Sequence, residues 1–515
     1  MAWNGQTIDS YNKIQKALLV AGGEGRLEKE HLKGKLTARE RMELLFDDGQ
    51  YTEFSKLMKS RVNIEELEKK HYLGDGVIAG YGKVDGNVVY AVAQDCTVSG
   101  GAGGESHVKK ICETLERAIE TKRPFVCLCD SGGARIEEGI ISLSAYSKLF
   151  YLNTQASGYI PQIAAIMGNC AGGSSYSPAM CDFIFMVENT SQFFITGPKV
   201  IKALTGEEVS MNELGGSQIH SEKSGVANFV CKNDEECIEE IRRLLKFISQ
   251  TSEGNIRSNA DSYKAKGKNI EDIVSENTRQ SYDVRDVIRN IVDSEEFMEV
   301  SSNFAKNMVT GFARLEGKTI GIVANQPSVL GGAIDCDAAD KSSRFVRFCD
   351  CFEIPLLVLV DVPGFYPGKA EETKGILRHG SKMLYAFSEA TVPKISLIMR
   401  KAYGGAYCAM NSKDMGADVV FAWPICEIAV MGADGAVDVM FHKKIAQADE
   451  PERYRQEQIE RYKEKYLNPY FAAAHGMVDE VILPEDTRDK IIKALKGLES
   501  KEVLIYKKKH GNIPL

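Results

Sequence analysis

The sequence lacks the features that mark several large protein classes. No apolar run reaches the ~18 residues of a membrane-spanning helix, and the first residues have neither a signal-peptide core nor the Arg-rich character of a transit peptide. We therefore expect a cytoplasmic protein, with any membrane association passing through a partner. The net charge of −8 over 515 residues gives no electrostatic reason to expect nucleic-acid binding.

Motifs of nucleotide, hydrolase and metal chemistry are also missing. The stretch from Gly364 to Gly368 is not a P-loop, because only three residues separate its glycines and no hydroxyl follows Lys369. No Rossmann fingerprint follows the first predicted hairpin, and no Gly-x-Ser-x-Gly elbow occurs. The histidines are isolated and the thirteen cysteines form no C-x-x-C, so we predict buried, reduced thiols and no metal site.

What the sequence does contain is an internal duplication. Residues 161–178 and 393–408 each predict a buried strand, a Gly-Gly turn and the start of a helix, with Pro161 and Pro393 lying 232 positions apart. Further upstream, glycines and an aspartate repeat at an offset of 231, ending with Asp130 and Asp361. The duplication predicts two homologous domains, residues 1–250 and 251–515.

Within each domain the pattern alternates between strands and helices. Asp85-Gly86 and Glu316-Gly317 predict hairpins that open each sheet. The alternation that follows indicates βαβ units, stacked in a repeated superhelix or an α/β layer. Residues 1 to about 70, including 62–73, predict a charged helical layer, and residues 234–300 predict a linker between the repeats.

The repeated glycine loops have no acid, base or nucleophile repeated beside them. A turn from a strand into a helix leaves backbone N–H groups without partners, and such donors suit a developing oxyanion. The alternative is that these glycines only permit a helix to pack closely on a strand. Two loops in each domain, both duplicated, favour the chemical interpretation.

Longer segments of the sequence resemble a known family. DSGGARIEEGI, GNCAGGSSYSPAMCDF, DVPGFYPGKAEETKGILRHGSKMLYA and KAYGGAYCAMNSKDMGADVVFAWP are similar to the carboxyltransferase component of biotin-dependent acyl-CoA carboxylases, and the similarity covers nearly the whole chain. The resemblance implies an α/β fold with two duplicated crotonase-like ββα-superhelix domains. It also implies a homohexamer, whose active site lies between the N-domain of one protomer and the C-domain of another.

The same resemblance implies roles for particular residues. It assigns the thioester oxygen of an acyl-CoA to the loops of the first domain and the ureido oxygen of biotin to those of the second. The loop residues are Gly133, Ala134, Gly172 and Gly173 in the first domain and Gly364, Phe365, Gly405 and Ala406 in the second. Cys408 stands where propionyl-CoA-using members carry an acidic residue, a position associated with acyl-chain choice; plain core packing is the alternative.

The implied activity is transfer of CO2 between carboxybiotin and the α-carbon of a short-chain acyl-CoA, foremost propionyl-CoA and methylmalonyl-CoA. No A-M-K-M sequence for biotin attachment occurs, so we expect a separate biotin carboxyl carrier protein and a biotin carboxylase subunit as partners. One alternative is the catalytic α subunit of a sodium-pumping methylmalonyl-CoA decarboxylase, with pump subunits as partners.

Two further alternatives do not involve biotin. A crotonase-like hydratase or isomerase would need repeated carboxylates beside the loops, for which Glu137-Glu138 and Glu371-Glu372 are the nearest candidates. A non-catalytic assembly scaffold would bind no CoA.

Overall fold

Two eight-stranded sheets organise the chain, one in each of two units, Met1–Glu253 (unit 1) and Gly254–Leu515 (unit 2). The computed structural model describes residues 5–20, 22–60, 72–249, 269–278, 280–504 and 506–515. The predicted domain boundary between residues 250 and 251 lies outside the described residues, as does most of the predicted helical stretch 62–73.

The elements of unit 1 follow one another as strands separated by helices. Its strands are β1 (Tyr51–Glu53), β2 (Val77–Val84), β3 (Asn87–Gln94), β4 (Phe125–Ser131), β5 (Gln162–Ala171), β6 (Phe183–Val187), β7 (Gln192–Phe194) and β8 (Phe229–Cys231). Its helices are α1 (Gly5–Val20), α2 (Glu24–Leu32), α3 (Ala38–Leu45), α4 (Glu105–Thr121), α5 (Ile140–Ala156), α6 (Tyr176–Ala179), α7 (Pro198–Thr205), α8 (Met211–Gly215), α9 (Ser217–Glu222) and α10 (Asp234–Ile248).

Unit 2 repeats this series. Its strands are β9 (Phe297–Val300), β10 (Met308–Leu315), β11 (Lys318–Asn325), β12 (Leu356–Val362), β13 (Lys394–Tyr403), β14 (Val419–Ala422), β15 (Glu427–Ala429) and β16 (Glu480–Val481). Its helices are α11 (Ile270–Ile273), α12 (Val284–Ile291), α13 (Cys336–Cys351), α14 (Lys369–Lys374), α15 (Ile376–Glu389), α16 (Gly404–Ala409), α17 (Ala433–Gln447), α18 (Pro451–Tyr466), α19 (Pro469–Ala474) and α20 (Thr487–Gly497).

The two sheets have the same strand order. In unit 1 the order is β1-β2-β3-β4-β5-β6-β8, with β7 paired to β5, and in unit 2 the corresponding order is β9-β10-β11-β12-β13-β14-β16, with β15 paired to β13. The first three strands of each sheet are antiparallel and the remaining pairs are parallel. The predicted α/β class and the duplication are therefore confirmed.

The residues of the hairpins and of the central strands explain why these elements form. The predicted hairpins form two-residue turns in which Asp85, Gly86, Glu316 and Gly317 all have positive φ, between 48° and 80°. Such turns match the right-handed twist of the flanking strands. The central strands β4 and β12 are buried along their whole length, as expected for parallel strands covered on both faces.

The repeat extends beyond the sheet in unit 1. Asp47, just after α3, accepts hydrogen bonds from the N–H groups of Asp85 and Gly86 at the hairpin tip, at 3.0 and 2.9 Å. Arg242 of α10 donates to the same carboxylate at 2.8 Å and to the carbonyl of Leu45 at 2.6 Å. A helix before the sheet and a helix after it are thus tied together at the first hairpin.

Unit 2 contains the same tie. Asp293, just after α12, accepts from the N–H groups of Glu316 and Gly317 at 3.2 and 2.8 Å. Arg488 of α20 donates to Asp293 at 2.5 Å and also to the carbonyl of Ile291. The prediction that residues 234–300 form a linker is therefore wrong at both ends, because α10 belongs to unit 1 and α12 to unit 2.

A helix long and apolar enough to cross a bilayer is not found in the part of the chain that the structure describes.

Candidate active site

The first glycine loop of unit 1 follows β4. The N–H of Gly103 donates to the carbonyl of Gly133 at 2.8 Å, and the N–H of Arg135 donates to the carbonyl of Gly103 at 2.9 Å. Ala134 lies between Gly133 and Arg135, the two residues that bond to Gly103. Because successive residues of a strand direct their N–H groups to opposite sides, the N–H of Ala134 faces away from Gly103. Gly133 has a φ of 106°, which favours glycine at this position.

The second loop of unit 1 follows β5. Gly172, with a φ of 59°, begins a tight turn that ends at Ser175 and leads into α6. The N–H groups of Gly172 and Gly173 open this turn and have no partner within it. A Cβ added to Gly173 would lie 3.8 Å from the Cβ of Ala134. The two predicted loops therefore meet at Ala134 and Gly173.

Unit 2 repeats the first loop with different side chains. The N–H of Ile334 donates to the carbonyl of Gly364 at 3.1 Å, and the N–H of Tyr366 donates to the carbonyl of Ile334 at 2.7 Å. Phe365 therefore has the backbone position of Ala134. A Cβ added to Gly405, at the start of α16, would lie 3.8 Å from the ring of Phe365.

The second loop of unit 2 follows β13 and includes the predicted residues Gly405 and Ala406. Gly404 has a φ of 60° and matches Gly172, and Gly405 matches Gly173. The predicted pair Gly405-Ala406 therefore lies one residue further along the repeat than Gly172-Gly173, and both pairs stay predictions. The offset of 232 between the repeats already pairs Gly172 with Gly404, so the signal was present in the sequence. The side chain of Ala406 is fully buried within α16.

An aromatic ring lies beside the meeting point of the loops in each unit. In unit 1 the ring belongs to Tyr146 of α5, whose Cδ2 would lie 3.8 Å from a Cβ on Gly173. In unit 2 the ring belongs to Phe365 itself, and it packs on Gly380 of α15. The sequence alone gave no sign that these two rings, from different elements, line similar positions.

Of the two carboxylates of unit 1 that a hydratase could use, Glu138 is held in a structural role. Glu138 is buried, accepts a hydrogen bond from the N–H of Glu105 at the start of α4 (2.6 Å) and forms an ion pair with Arg135 (2.8 Å). Its neighbour Glu137 is exposed to solvent. Glu138 therefore serves as an anchor for the helix and the loop.

Glu371 has the same position in unit 2. It accepts a hydrogen bond from the N–H of Cys336 at the start of α13 (3.0 Å) and pairs with Lys374 (3.3 Å). Burial would raise the pKa of this carboxyl, but the bonds from Cys336 and Lys374 hold the pKa below its usual value. An ionised, anchored carboxylate of this kind is poorly suited to taking and returning a substrate proton.

One group of potential metal ligands lies within the described residues, formed by Glu30, Cys96 and Asp130. The ammonium of Lys35 already lies among them, 2.8 Å from Glu30, 3.7 Å from the Cys96 sulfur and 2.5 Å from Asp130. Burial opposes the charge on Lys35, but the neighbouring Asp130 holds its pKa above the usual value. The lysine supplies the positive charge that a metal ion would otherwise bring.

Cys408 lies in α16, four residues after Gly404, and is partly buried. One turn of helix separates it from the glycine turn. The structure thus places the predicted specificity residue on the same short helix as Gly405 and Ala406.

Comparison with known proteins identifies the family of this chain. The family model for the carboxyl transferase domain matches residues 29–513. The chain is 48% identical over 510 residues to the methylmalonyl-CoA decarboxylase subunit alpha of Propionigenium modestum, covering 99% of both chains. It is 49% identical over 510 residues to the propionyl-CoA carboxylase carboxyltransferase subunit of Haloferax mediterranei, again covering 99% of both.

A solved structure shows the same fold. The crystal structure of transcarboxylase 12S, described as a hexamer with methylmalonyl-coenzyme A and methylmalonic acid bound, superposes with a TM-score of 0.95 at 48% identity. The match covers 100% of this chain and 99% of that one. It confirms the predicted pair of duplicated crotonase-like domains.

Proposed function

This chain belongs to the carboxyl transferase family, as its sequence motifs indicated, and we propose that it moves CO2 between biotin on a separate carrier protein and the α-carbon of a short-chain acyl-CoA. The observation that carries the proposal is the repeated meeting of two loops, Ala134 with Gly173 and Phe365 with Gly405. Both places present backbone N–H groups, and the repeated carboxylates nearby are engaged in helix anchoring.

The proposed reaction develops negative charge on two oxygen atoms. The residues at Phe365 and Gly405 would hold biotin, which would supply the CO2 from its carboxylated ureido nitrogen and take up the proton released from the α-carbon. Fixed N–H donors in a site sheltered from water stabilise such charges without having to reorganise. The reaction has two oxygen atoms that become negatively charged, and the chain has two sets of glycine loops, one for each oxygen.

The residues of each unit have separate tasks in this scheme. In residues 1–250, the N–H groups at Ala134 and Gly173 would hold the thioester oxygen of the acyl-CoA while the α C–H bond of the acyl group breaks. In residues 251–515, those at Phe365 and Gly405 hold the ureido oxygen. Gly133, Gly172, Gly364 and Gly404 give the loops their positive-φ backbone, and Ala406 stays, with Gly405, a proposed residue of the biotin-side loop. These two sets of backbone N–H donors fit the acyl-CoA thioester and the ureido group of biotin, because neither group requires a side-chain base.

Propionyl-CoA and methylmalonyl-CoA are the proposed acyl substrates. The relatives named above are a methylmalonyl-CoA decarboxylase subunit and a propionyl-CoA carboxylase subunit, and the superposed crystal structure contains methylmalonyl-coenzyme A. Cys408 would adjust the preference for acyl-chain length from its place on α16. A homohexamer is the proposed assembly, in line with the description of transcarboxylase 12S.

The proposed partners are a biotin carboxyl carrier protein and a biotin carboxylase subunit, in the cytoplasm. A second candidate is the α subunit of a methylmalonyl-CoA decarboxylase, favoured by two relatives of that name at 48% and 50% identity. Its partners would be sodium-pump subunits, which would bring the protein to a membrane. Sodium-dependent release of CO2 from a co-purified membrane fraction would distinguish this candidate from a carboxylase.

A transcarboxylation assay tests the common core of both candidates. Purified protein is given free biotin and methylmalonyl-CoA or malonyl-CoA, and formation of propionyl-CoA or acetyl-CoA is followed. We expect product that depends on biotin and that falls about 10²–10³-fold when Gly405→Val fills the space beside Phe365. Product that forms equally well without biotin would contradict the proposal, as would absence of product from a folded protein.

A further inference from the structure

The strands that carry the loops diverge at a buried aspartate. In unit 1, Cys129 of β4 pairs with Ile166 of β5, but the next paired residues are Ser131 and Cys170, so β5 advances four residues while β4 advances two. Asp130 lies at this irregularity and is only 3% exposed. The first glycine loop begins just after Ser131 and the second two residues after Cys170, so the spacing of the two strands at this pair sets the spacing of the loops.

Unit 2 has the same irregularity between Val360 and Val362, at Asp361, which is 1% exposed. Its Oδ2 accepts hydrogen bonds from Nε of Arg400 at 3.1 Å and from the hydroxyl of Tyr282 at 3.0 Å. Arg400 is itself 3% exposed and belongs to β13. A carboxylate of one strand therefore holds a guanidinium of the neighbouring strand.

Two more bonds complete this cluster in unit 2. The N–H of Lys401 donates to Oδ1 of Asp361 at 3.1 Å, so two consecutive residues of β13 bind one carboxylate. Arg400 also donates to the carbonyl of Gln280 at 2.7 Å, which attaches the segment before α12. Gly404 lies four residues beyond Arg400, and Phe365 lies four residues beyond Asp361.

In unit 1 the cations paired with the aspartate come from outside the sheet, and the nearer of them is Lys35, 2.5 Å from Asp130. Arg41 of α3 lies 3.4 Å from Asp130, and it donates to the carbonyl of Met167 on β5 at 2.9 Å and to Asp234 at 2.8 Å. The residue after Met167 is Gly168, at the offset of 232 from Arg400. A Cβ there would lie 2.0 Å from Oδ1 of Asp130, so β5 has no room for an arginine of its own.

A buried ion pair is rarely the most stable way to fill a core, because removing two charges from water is costly. What the pair fixes is geometry, since its bonds have narrow ranges of distance and angle. Misplacing a catalytic group by about 1 Å can cost roughly 10²-fold in rate. A rigid bridge between the two loop-bearing strands therefore matters more for the donors than for folding.

We propose that Arg400 is a positioning residue for the biotin-side donors, because its bridge to Asp361 fixes the distance between the loop at Phe365 and the loop at Gly405. The inference deepens the proposed function and rests on it for the identity of the ligand. It predicts that loss of the bridge affects the reaction of biotin while leaving the binding of the acyl-CoA, which belongs to unit 1, unchanged.

The test compares Arg400→Lys with Arg488→Lys in the full-length protein. The control removes a similar guanidinium–carboxylate pair of unit 2, Arg488 with Asp293, remote in sequence from both glycine loops. We expect both variants to lower Tm, but only Arg400→Lys to lower kcat with free biotin, by about 10- to 100-fold. The KM for methylmalonyl-CoA should stay within about twofold of the wild type in both.

Amide hydrogen exchange gives a readout that needs no turnover. Peptides covering residues 400–410 should exchange faster in Arg400→Lys than in Arg488→Lys, because only the former frees the end of β13. If Arg400→Lys does not fold, Tyr282→Phe removes one hydroxyl bond to Asp361 and should show the same pattern more weakly.

The possible outcomes distinguish failure of the proposed function from failure of the positioning role of Arg400. A wild type without biotin-dependent transfer would overturn the proposed function, whereas the exchange data would still test the bridge. An active wild type, with Arg400→Lys and Arg488→Lys equal in kcat and in exchange over residues 400–410, would overturn the positioning role alone.

Discussion

The ring of Phe365 lies against Gly380: a Cβ added to this glycine would be only 2.9 Å from the ring atom Cε1. Unit 1 has the opposite distribution of size, with the small Ala134 on the loop and the large Tyr146 on α5. Each unit therefore places one aromatic ring beside its glycine loops, although the ring belongs to a different element in each. This arrangement makes Gly380 a test of the biotin side.

Gly380→Ala should push the ring of Phe365 toward Gly405 and narrow the space between the two loops. A ring can shift by a few tenths of an ångström, so we expect a folded protein with a kcat lowered severalfold and an unchanged KM for the acyl-CoA. Gly497→Ala is the control, because a Cβ there meets nothing within 4 Å. Equal activity of the two variants would show that the ring does not limit the site.

Gly172 and Gly173 should respond differently to alanine. Gly172 has a φ of 59°, so Gly172→Ala forces a left-handed conformation and should lower the free energy of unfolding by about 1–2 kcal/mol. A Cβ on Gly173 makes only ordinary contacts near 3.8 Å, so Gly173→Ala should fold normally. Its cost should fall on activity, because the added methyl group occupies the space beside Ala134.

Denaturant titration and the transcarboxylation assay together distinguish these two effects. Loss of stability in Gly173→Ala with full specific activity of the folded fraction would mean that this glycine serves packing alone. That outcome would restore the interpretation that the Gly-Gly pairs merely allow close packing of helix on strand.

His107 should make unit 1 sensitive to acid. Its Nδ1 donates to the carbonyl of Asp75 at 3.0 Å and its Nε2 accepts from the amide of Gln94 at 3.1 Å, so the neutral ring has both partners. Burial, helped by the charge of Arg135, lowers the pKa of His107 to about 3. The unfolded chain takes up this proton near pH 6.5, so stability is complete above that pH and is lost as the pH falls toward 3.

Urea denaturation at several pH values between 7 and 4 measures this loss. The slope due to one such histidine approaches about 1.4 kcal/mol per pH unit. His107→Gln can form both hydrogen bonds without titrating, so its free energy of unfolding should vary less with pH over this range. An identical pH dependence in the wild type and the variant would exclude His107 as the cause.

Cys408→Asp should change the preference between acyl-CoA substrates. The variant places a negative charge on α16, one turn after Gly404, so the ratio of kcat/KM for methylmalonyl-CoA to that for malonyl-CoA should change. Cys351→Asp, at an exposed cysteine, is the control. A variant with reduced Tm and an unchanged ratio would assign Cys408 to core packing.

The sequence made the loops predictable because their chemistry is local. A Gly-Gly pair after an apolar strand predicts a turn wherever it occurs, and the offset of 231 to 232 showed that the turns were repeated. The repeat paired Gly172 with Gly404, whereas the family resemblance selected Gly405 and Ala406 as the site residues. Tyr146 gave no local signal, since an aromatic residue on a helix is usually part of a core.

Glu138 and Glu371 show where local reasoning fails. From the sequence they were candidate catalytic carboxylates beside the loops, whereas in the structure they accept hydrogen bonds from the first turns of α4 and α13. The partners lie some thirty residues earlier in the chain, at Glu105 and Cys336. Only the folded sheet brings a loop and a preceding helix close enough to settle the role.

By itself the sequence determined the two-domain α/β architecture, the hairpins and the glycine loops, because strand periodicity and the backbone freedom of glycine act over a few residues. The tertiary structure decided which elements complete each unit and how the loops are held. Asp130 is paired with Lys35 and Arg41 from outside the sheet, whereas Asp361 is paired with Arg400 of β13, and no spacing in the sequence relates these cations. The surroundings of Asp130 and Asp361 explain these pairings. A carboxylate removed from water requires a cation, and the cation comes from whichever chain segment has room to reach it.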